Sequence, residues 1–345
     1  MAKDRAEGNT HGEDDPRATD REKGLRIRVF DADRTDKVLS LEEALKARVS
    51  GRQILWIDVE GELESKSLKV MVERFGFDEE TERVLGLPSS KPHIQLHGKH
   101  FHLCVAAEPD AERPQDIRWL DIVAGPNVVV TVHAEPLEFV EATDERIAAD
   151  ATIGELDSAQ FVASVLESIV TSYHASIDRL EDELDVIDAK ALSKQAPAEL
   201  FDVLVAIRQR VGRLRRLFAA HRVVFSAIGG PDFARGISSD DTQVFVPVSG
   251  RFDGVLVSIE STREVVLGSF EILMTRTAQR TNDVMKVLTV ATVMFLPATV
   301  TAGFLGMNVI VPVSEEDPAS FWIILGFVLV FEVAVVVIAR WRGWL

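Results

Sequence analysis

The sequence predicts an α/β N-terminal domain followed by long helices, with two membrane-spanning helices at the C-terminal end. Short strand-like and helical segments alternate between residues 25 and 140, and from about Ser158 onward the apolar periodicity is helical only. Two apolar runs follow, Val287–Gly306 and Phe321–Ala339. A run of about 20 apolar residues crosses a hydrocarbon core of roughly 30 Å, so each of the two qualifies as a span.

Composition excludes several classes of protein. The net charge of -17 argues against a nucleic-acid partner. The only cysteine, Cys104, excludes an intrachain disulfide and a cysteine-based zinc cluster, and its apolar surroundings predict a buried side chain. Residues 1–24 mix acidic, basic and glycine residues without a leader-like apolar segment, which predicts a disordered tail and a cytosolic N-terminal part.

The α/β domain begins at Leu25. Ile54–Val59 predicts a buried strand, and Ser40 with Glu43 has the spacing of a capping box at a helix start. The residues His93–Ala107 predict a hairpin that turns at Gly98-Lys99. Two further strands are predicted at Trp119–Ala124 and Asn127–His133, and short helices at Leu68–Phe75 and Asp78–Leu85.

The second half of the chain is predicted to be helical. A helix that starts near Gly250 contains no proline before Pro297 and runs directly into the first apolar run, which gives a stalk continuous with a span. The predicted boundaries are a tail over 1–24, the α/β domain over 25–140, a long-helix region over 141–249, the stalk over 250–286, the first span over 287–306, an outer loop over 307–320, the second span over 321–340 and a basic tail over 341–345.

The distribution of charge predicts the topology. Arg276, Arg280 and Lys286 precede the first span, and Arg340 and Arg342 follow the second. The charged residues of the connecting loop, in contrast, are all acidic: Glu315, Glu316 and Asp317. The positive-inside rule therefore places both termini in the cytoplasm and the loop outside a cytoplasmic membrane.

One face of the first span mixes amide and hydroxyl groups with apolar side chains. Two spans cannot enclose a polar path, so a pore would need several copies around an axis, with this face turned inward. The apolar positions would then form dewetting constrictions. The same small and polar residues also suit an ordinary helix-packing face. The positions are Asn282, Met285, Leu288, Thr292, Leu296, Thr299 and Gly303.

The segment NDVMKVLTVATVMFLPATVTAGFLGMN, ahead of a second span and a basic C-terminus, resembles the CorA family of magnesium transport proteins. The resemblance implies a funnel-shaped homopentamer in the lipid bilayer that takes up Mg²⁺, with Co²⁺ and Ni²⁺ as lesser ions. It implies no enzyme activity and no cofactor beyond Mg²⁺ as the transported ion and a candidate regulator. The implied selectivity filter is Gly306, Met307 and Asn308, with the acidic loop residues attracting cations to it.

A ring of Asn308 side chains has chemistry that suits a hydrated ion. Mg²⁺ sheds its water reluctantly, and neutral amide oxygens can accept hydrogen bonds from that water. The chain departs from the family pattern in three places. Leu305 replaces an aromatic residue, for which Phe304 is a substitute. The acidic segment at the top of the stalk is reduced to the candidates Asp240, Asp241 and Asp253.

The third departure is Glu332, in the middle of the second span. A charge there costs about 3 kcal/mol or more, so the side chain should be protonated or paired. Two roles of Glu332 meet this requirement. It is either a neutral carboxylic acid that is hydrogen-bonded to a threonine of the neighbouring helix, or a group that carries protons in proton-linked transport. The second would suit a zinc transporter of the related branch, although Gly-Met-Asn followed by Val-Ile-Val-Pro favours magnesium.

Two further alternatives concern other parts of the chain. His100 and His102 share one face of the predicted hairpin, where they form either a soft-metal site or ordinary solvated positions. The alternative from another functional class is a binding or scaffold protein that its two spans only tether to the membrane. A tether needs no polar face and would tolerate replacement of Asn308.

Overall fold

The computed structural model describes residues 24–31, 36–61, 65–86, 90–108, 117–137, 140, 157–193, 199–236, 243–307 and 318–344. Several residues with predicted roles lie outside these ranges, and their roles stay predictions: Asn308, Glu315, Glu316, Asp317, Asp240 and Asp241.

A seven-stranded sheet forms the centre of the N-terminal part within the described residues. The strands are β1 (Leu25–Asp31), β2 (Lys37–Val38), β3 (Gln53–Glu60), β4 (His93–His97), β5 (His100–Glu108), β6 (Arg118–Gly125) and β7 (Val128–His133). Their order in the sheet is β2-β1-β3-β7-β6-β5-β4, with β3 and β7 parallel and every other neighbouring pair antiparallel. The predicted hairpin is confirmed as β4 and β5.

Short helices cover one face of the sheet. They are α1 (Leu41–Lys46), α2 (Ser65–Phe75) and α3 (Glu79–Gly86), and they enclose a core with the alternate residues of the strands. The predicted capping box is confirmed, because Ser40 Oγ accepts from the Glu43 amide at 3.3 Å and Glu43 Oε2 accepts from the Ser40 amide at 2.8 Å. Asn127 has a φ of 62°, and its Nδ2 donates to the carbonyl of Gln53 at 2.9 Å, which fixes the turn between β6 and β7 against β3.

Long helices cover the other face. They are α4 (Ser158–Ala191) and α5 (Leu200–Ile228), followed by the short α6 (Pro231–Gly236). The ring of Phe161 on α4 lies 5.5 Å from that of Trp56 on β3. A register shift in β5 between Ala106 and Glu108 interrupts the ladder. There Tyr173 Oη donates to the Ala106 carbonyl at 2.5 Å, and His221 Nε2 accepts from the Ala106 amide at 2.8 Å.

The last two helices are α7 (Phe245–Leu305), with 61 residues, and α8 (Pro318–Trp341), with 24 residues. The predicted continuity of stalk and first span is confirmed, although α7 begins at Phe245 rather than near Gly250. The chain divides into two compact units. Unit 1 comprises residues 1–186 and 202–266, and unit 2 comprises residues 187–201 and 267–345.

Candidate functional site

Many large apolar side chains of the C-terminal part of α7 and of α8 are exposed among the residues that the structure describes. Phe295 and Leu296 on α7 are 69% and 61% exposed, and Phe327 on α8 is 74% exposed. Both helices are long and apolar enough to cross a membrane. Soluble monomers rarely expose contiguous apolar patches of more than a few hundred Å², so these surfaces require lipid or further protein.

The polar face predicted for the first span lies on one side of α7. The helix is continuous, and at about 100° per residue the positions from Asn282 to Gly303 fall within an arc of about 120°. All of them are exposed. The less exposed positions of the same segment lie on the opposite side of the helix: Lys286, Val290, Ala291, Met294, Pro297, Ala298 and Thr301.

The hydroxyl groups on this face are bonded to their own helix. Thr292 Oγ1 donates to the Leu288 carbonyl at 2.9 Å, and Thr299 Oγ1 donates to the Phe295 carbonyl at 2.8 Å. Because the hydrogen of each hydroxyl is used in this way, the oxygen remains as an acceptor. An oxygen acceptor on an exposed helix face suits a hydrated cation.

The end of α7 forms a tight turn at Gly306, the first residue of the predicted filter. The Gly306 amide donates to the Ala302 carbonyl at 3.0 Å, and the Met307 amide donates to the Phe304 carbonyl at 3.4 Å. A Cβ on Gly306 would lie 3.1 Å from the Ala302 oxygen, so any side chain there would press on this turn. Phe304, which the sequence predicts as the substitute for the family's aromatic residue, is 64% exposed.

Glu332 lies on the less exposed side of α8. The residues on this side of α8 form a stripe that is half-buried, except for Ala339 at its end, which is buried. The carboxyl group is therefore not on the most exposed, lipid-accessible side of the helix, which is compatible with either reading of its role. The members of the stripe are Ile324, Val328, Glu332, Val335, Val336 and Ala339.

The candidate regulatory residue Asp253 lies exposed on α7 in unit 1. Among the residues that the structure describes, the groups of three or more potential metal ligands do not include it.

His100 and His102 are both buried, at 6% and 0% exposure, so the interpretation as solvated hairpin positions is wrong for both. The structure also separates them. His100 Nε2 lies 3.1 Å from Thr81 Oγ1, whereas His102 Nε2 lies 2.9 Å from Asp121 Oδ1. The two histidines therefore belong to two different clusters on the same face of the sheet.

The first cluster lies at the start of α3. His97 Nδ1 lies 2.5 Å from Asp78 Oδ2, and Asp78 Oδ1 accepts from the Thr81 amide at 2.8 Å. Burial acts to raise the pKa of Asp78, but the hydrogen bonds from Thr81 and the charges of His97 and His100 lower it overall. Burial lowers the pKa of His100, and the charge of His97 lowers it further.

The second cluster contains residues that sequence reasoning missed as possible ligands. His93 on β4 lies opposite Cys104 on β5, and Cys104 lies opposite Asp121 on β6. The pairing of His93 with Cys104 follows from the two-residue turn at Gly98-Lys99, so that signal was available. The position of Asp121 could not be predicted, because the sequence between β5 and β6 does not fix the register in which the two strands pair.

Comparison with known proteins gives one family match and several distant relatives. The family model for CorA-like Mg²⁺ transporter proteins matches residues 51–340. The chain is 26% identical over 187 residues to a cobalt/magnesium transport protein CorA of Thermotoga maritima, a match that spans 53% of this chain and only about half, 51%, of that protein. It is 25% identical over 262 residues to the divalent cation transporter CmaX of Pseudomonas aeruginosa, which covers 75% of this chain and 76% of that protein.

The fold is shared with a solved structure. The complete structure of the CorA magnesium transporter from Methanocaldococcus jannaschii matches with a TM-score of 0.71 at 20% identity, over 93% of this chain and 98% of that one. At this identity the similarity shows the fold alone. It includes the α/β N-terminal part, the long helix and the two C-terminal apolar helices.

Proposed function

The chain belongs to the family of CorA-like Mg²⁺ transporter proteins, which are ion transporters and not enzymes, and from this premise we propose that it conducts Mg²⁺ into the cytosol. Co²⁺ and Ni²⁺ are proposed as lesser ions. Two relatives, a cobalt/magnesium transport protein and a divalent cation transporter, support a range of divalent ions.

The single observation that carries the proposal is the division of α7 into two sides. The face with amide, hydroxyl and glycine positions is exposed, and the opposite side is less exposed within the chain. A polar face that one chain leaves open in a membrane is best covered by equivalent faces of further copies around an axis. We propose a homopentamer, in which this face lines a water-filled pore.

Each pore position then becomes a ring with its own role. Met285, Leu288 and Leu296 form apolar constrictions, and Thr292 and Thr299 contribute hydroxyl oxygens. At the outer end, Asn308 contributes a ring of amide oxygens that binds the water of a hydrated Mg²⁺. Glu315, Glu316 and Asp317 raise the local cation concentration at the mouth.

The orientation follows from the flanking charges. Basic residues precede the first span and follow the second, and by the positive-inside rule they support a cytoplasmic location of the N- and C-terminal parts. The α/β domain and the long helices would then lie on the cytosolic side of the membrane. We retain the sequence-based boundaries as part of this proposal, with the start of the stalk moved to Phe245.

Two other functions remain as outcomes of the test. A zinc transporter of the related branch would use Glu332 for proton coupling, and its Glu332→Gln variant should lose the pH dependence of transport. A membrane-tethered scaffold would carry no flux at all and would be indifferent to changes at Asn308.

The decisive experiment measures Mg²⁺ flux into liposomes that contain the purified protein, with Asn308→Ala in parallel. Flux in the parent that is lost or loses selectivity in Asn308→Ala supports a channel filtered at this residue. No flux in a stable oligomer contradicts the Mg²⁺ proposal. The same liposomes are then tested for Zn²⁺ flux. If they carry no Zn²⁺ either, the membrane-tethered scaffold is the remaining function.

A matched pair of variants tests the pore face. Thr299→Ala and Thr301→Ala remove the same hydroxyl group two residues apart, on the open and the less exposed side of α7 respectively. We expect Thr299→Ala to change conductance or selectivity and Thr301→Ala to leave both near the parent values. The reverse ranking would place the pore on the other side of the helix.

A further inference from the structure

A row of potential metal ligands crosses three strands of the sheet. His93 on the edge strand β4, Cys104 on β5 and Asp121 on β6 lie directly opposite one another in register. One ligand atom from each lies within 4.8 Å of those of the other two. His102, two residues before Cys104 on β5 and therefore on the same face, contacts both His93 and Asp121.

The hydrogen bonds of the two histidines decide which nitrogens carry hydrogen. His93 Nδ1 lies 3.1 Å from the carbonyl oxygen of Lys91, and His102 Nε2 lies 2.9 Å from Asp121 Oδ1. A carbonyl and a carboxylate only accept, so both of these nitrogens donate. In the neutral rings, His93 Nε2 and His102 Nδ1 therefore both present lone pairs.

These two lone-pair nitrogens face each other. His93 Nε2 and His102 Nδ1 are 3.2 Å apart. Two acceptors at this distance repel unless a proton or a cation lies between them. Two imidazoles on a tetrahedral zinc-class ion, with bonds of about 2.0–2.1 Å, have their nitrogens roughly 3.3 Å apart. The observed spacing matches that of two ligands of one ion.

We propose that His93, His102 and Cys104 bind one transition-metal dication of the zinc class. Asp121 has the supporting role, since a carboxylate that accepts from the second nitrogen of a ligating histidine fixes its tautomer and orientation. Imidazole and thiolate select Zn²⁺, Co²⁺ or Ni²⁺ over Mg²⁺, which prefers oxygen ligands. The site is independent of the proposed pore.

The location gives the site a structural consequence. His102, Cys104 and Asp121 are buried, while His93 is only half-buried on the edge strand. The ion would approach past His93 and tie the edge strand β4 to the interior strand β5. Occupancy by a transition metal would thereby decide how firmly β4 is held against the sheet.

The test is a Co²⁺ titration of the full-length protein in detergent, in buffer that contains excess Mg²⁺. Because Cys104 is the only cysteine, a thiolate-to-cobalt charge-transfer absorption reports this site alone. We expect the absorption to saturate at one equivalent, to be displaced by Zn²⁺, and to be absent in Cys104→Ser. His93→Ala should weaken binding at least tenfold.

The matched control is His97→Ala, which removes an imidazole from the same edge strand but from the cluster around Asp78. It should keep the absorption and the parent affinity. No charge-transfer absorption in the parent, or equal affinity in His93→Ala and His97→Ala, overturns the proposal. The short distance between His93 Nε2 and His102 Nδ1 would then be explained by a proton that the two rings share. If Cys104→Ser fails to fold, the comparison of His93→Ala with His97→Ala decides, because both residues are half-buried on the edge strand.

Discussion

Strand β5 and helix α8 contain similar apolar residues in opposite surroundings. Leu103 and Val105 on β5 have no solvent exposure, whereas Phe327 and Val330 on α8 are 74% and 70% exposed. The hydrophobic effect acts on both, but the chain covers β5 with its own neighbouring strands and helices. It leaves most of the large apolar side chains of α8 exposed, so this helix requires lipid or further protein around it. The exposed fraction of a side chain therefore has a different physical meaning in the two units.

The largest expected effect comes from truncation of the covered core. Leu103→Ala should lower the free energy of unfolding of unit 1 by about 2–5 kcal/mol, because it removes buried methyl groups and leaves a cavity. Leu329→Ala on α8, where the side chain is 55% exposed, should leave that free energy unchanged. Hydrogen exchange of the sheet peptides across a denaturant series measures both. Equal losses in the two variants would contradict the distinction between covered and uncovered regions.

A charge placed on each type of exposed surface sharpens the comparison. Val330 on α8 and Val223 on α5 are 70% and 57% exposed. We expect Val330→Lys to cost about 2.5–3.5 kcal/mol of membrane insertion, since the exposed surface of α8 faces lipid. Val223→Lys faces water and should change stability by no more than about 0.5 kcal/mol. The fraction of protein in the membrane and the melting of unit 1 are the two measurements. A fully inserted Val330→Lys protein would mean that α8 is not lipid-facing at this position.

The buried histidine at the interface of β5 and α5 should make unit 1 sensitive to acid. Burial lowers the pKa of His221 to about 4, against an opposing hydrogen bond to the Leu217 carbonyl. Protonation would also place a hydrogen on Nε2, which now accepts from the Ala106 amide. The folded pKa lies below the unfolded value of 6.5, so the unfolded chain binds the proton first.

The unfolding free energy should therefore fall by about 3 kcal/mol between pH 6.5 and pH 4, and should be unaffected by this group above pH 6.5. His221→Gln keeps an acceptor for the Ala106 amide and should remove most of this acid-dependent loss. His174→Gln, at a half-buried position on α4, serves as the control and should retain it. Denaturant melts at a series of pH values test the prediction. An unchanged acid-dependent loss in His221→Gln would show that other groups cause it.

The smallest expected effect concerns the ion pair between α4 and α5. Arg210 donates to both carboxylate oxygens of Glu183, at 2.6 and 3.1 Å, and the side chain of Glu183 is 44% exposed. Exposed pairs contribute up to about 1 kcal/mol, so Glu183→Gln should lower the stability of unit 1 by no more than that, and by less in high salt. A loss of several kcal/mol, measured by the same melts, would mean that Arg210 depends on this carboxylate in its half-buried position.

The sequence was informative where the pattern is local. Alternation and a two-residue turn predict the hairpin of β4 and β5, and the spacing of Ser40 and Glu43 predicts the start of α1, because both depend on neighbouring residues. The polar face of α7 follows from helical periodicity alone. The strand β2 was missed, since two residues carry no periodicity. The sequence also did not reveal that His100 and His102 have different partners, because adjacency on a strand face says nothing about the residues packed against each of them.

For this protein, then, the amino-acid sequence by itself determined the long uninterrupted helix and the two apolar runs. These features rest on composition and periodicity along one segment. Only the tertiary structure decided which histidines share a cluster, since Asp78, directly before α3, contacts His97 and His100, and Asp121 on β6 contacts His102. Such contacts depend on the register and packing of segments that are distant in the chain, which no local pattern encodes.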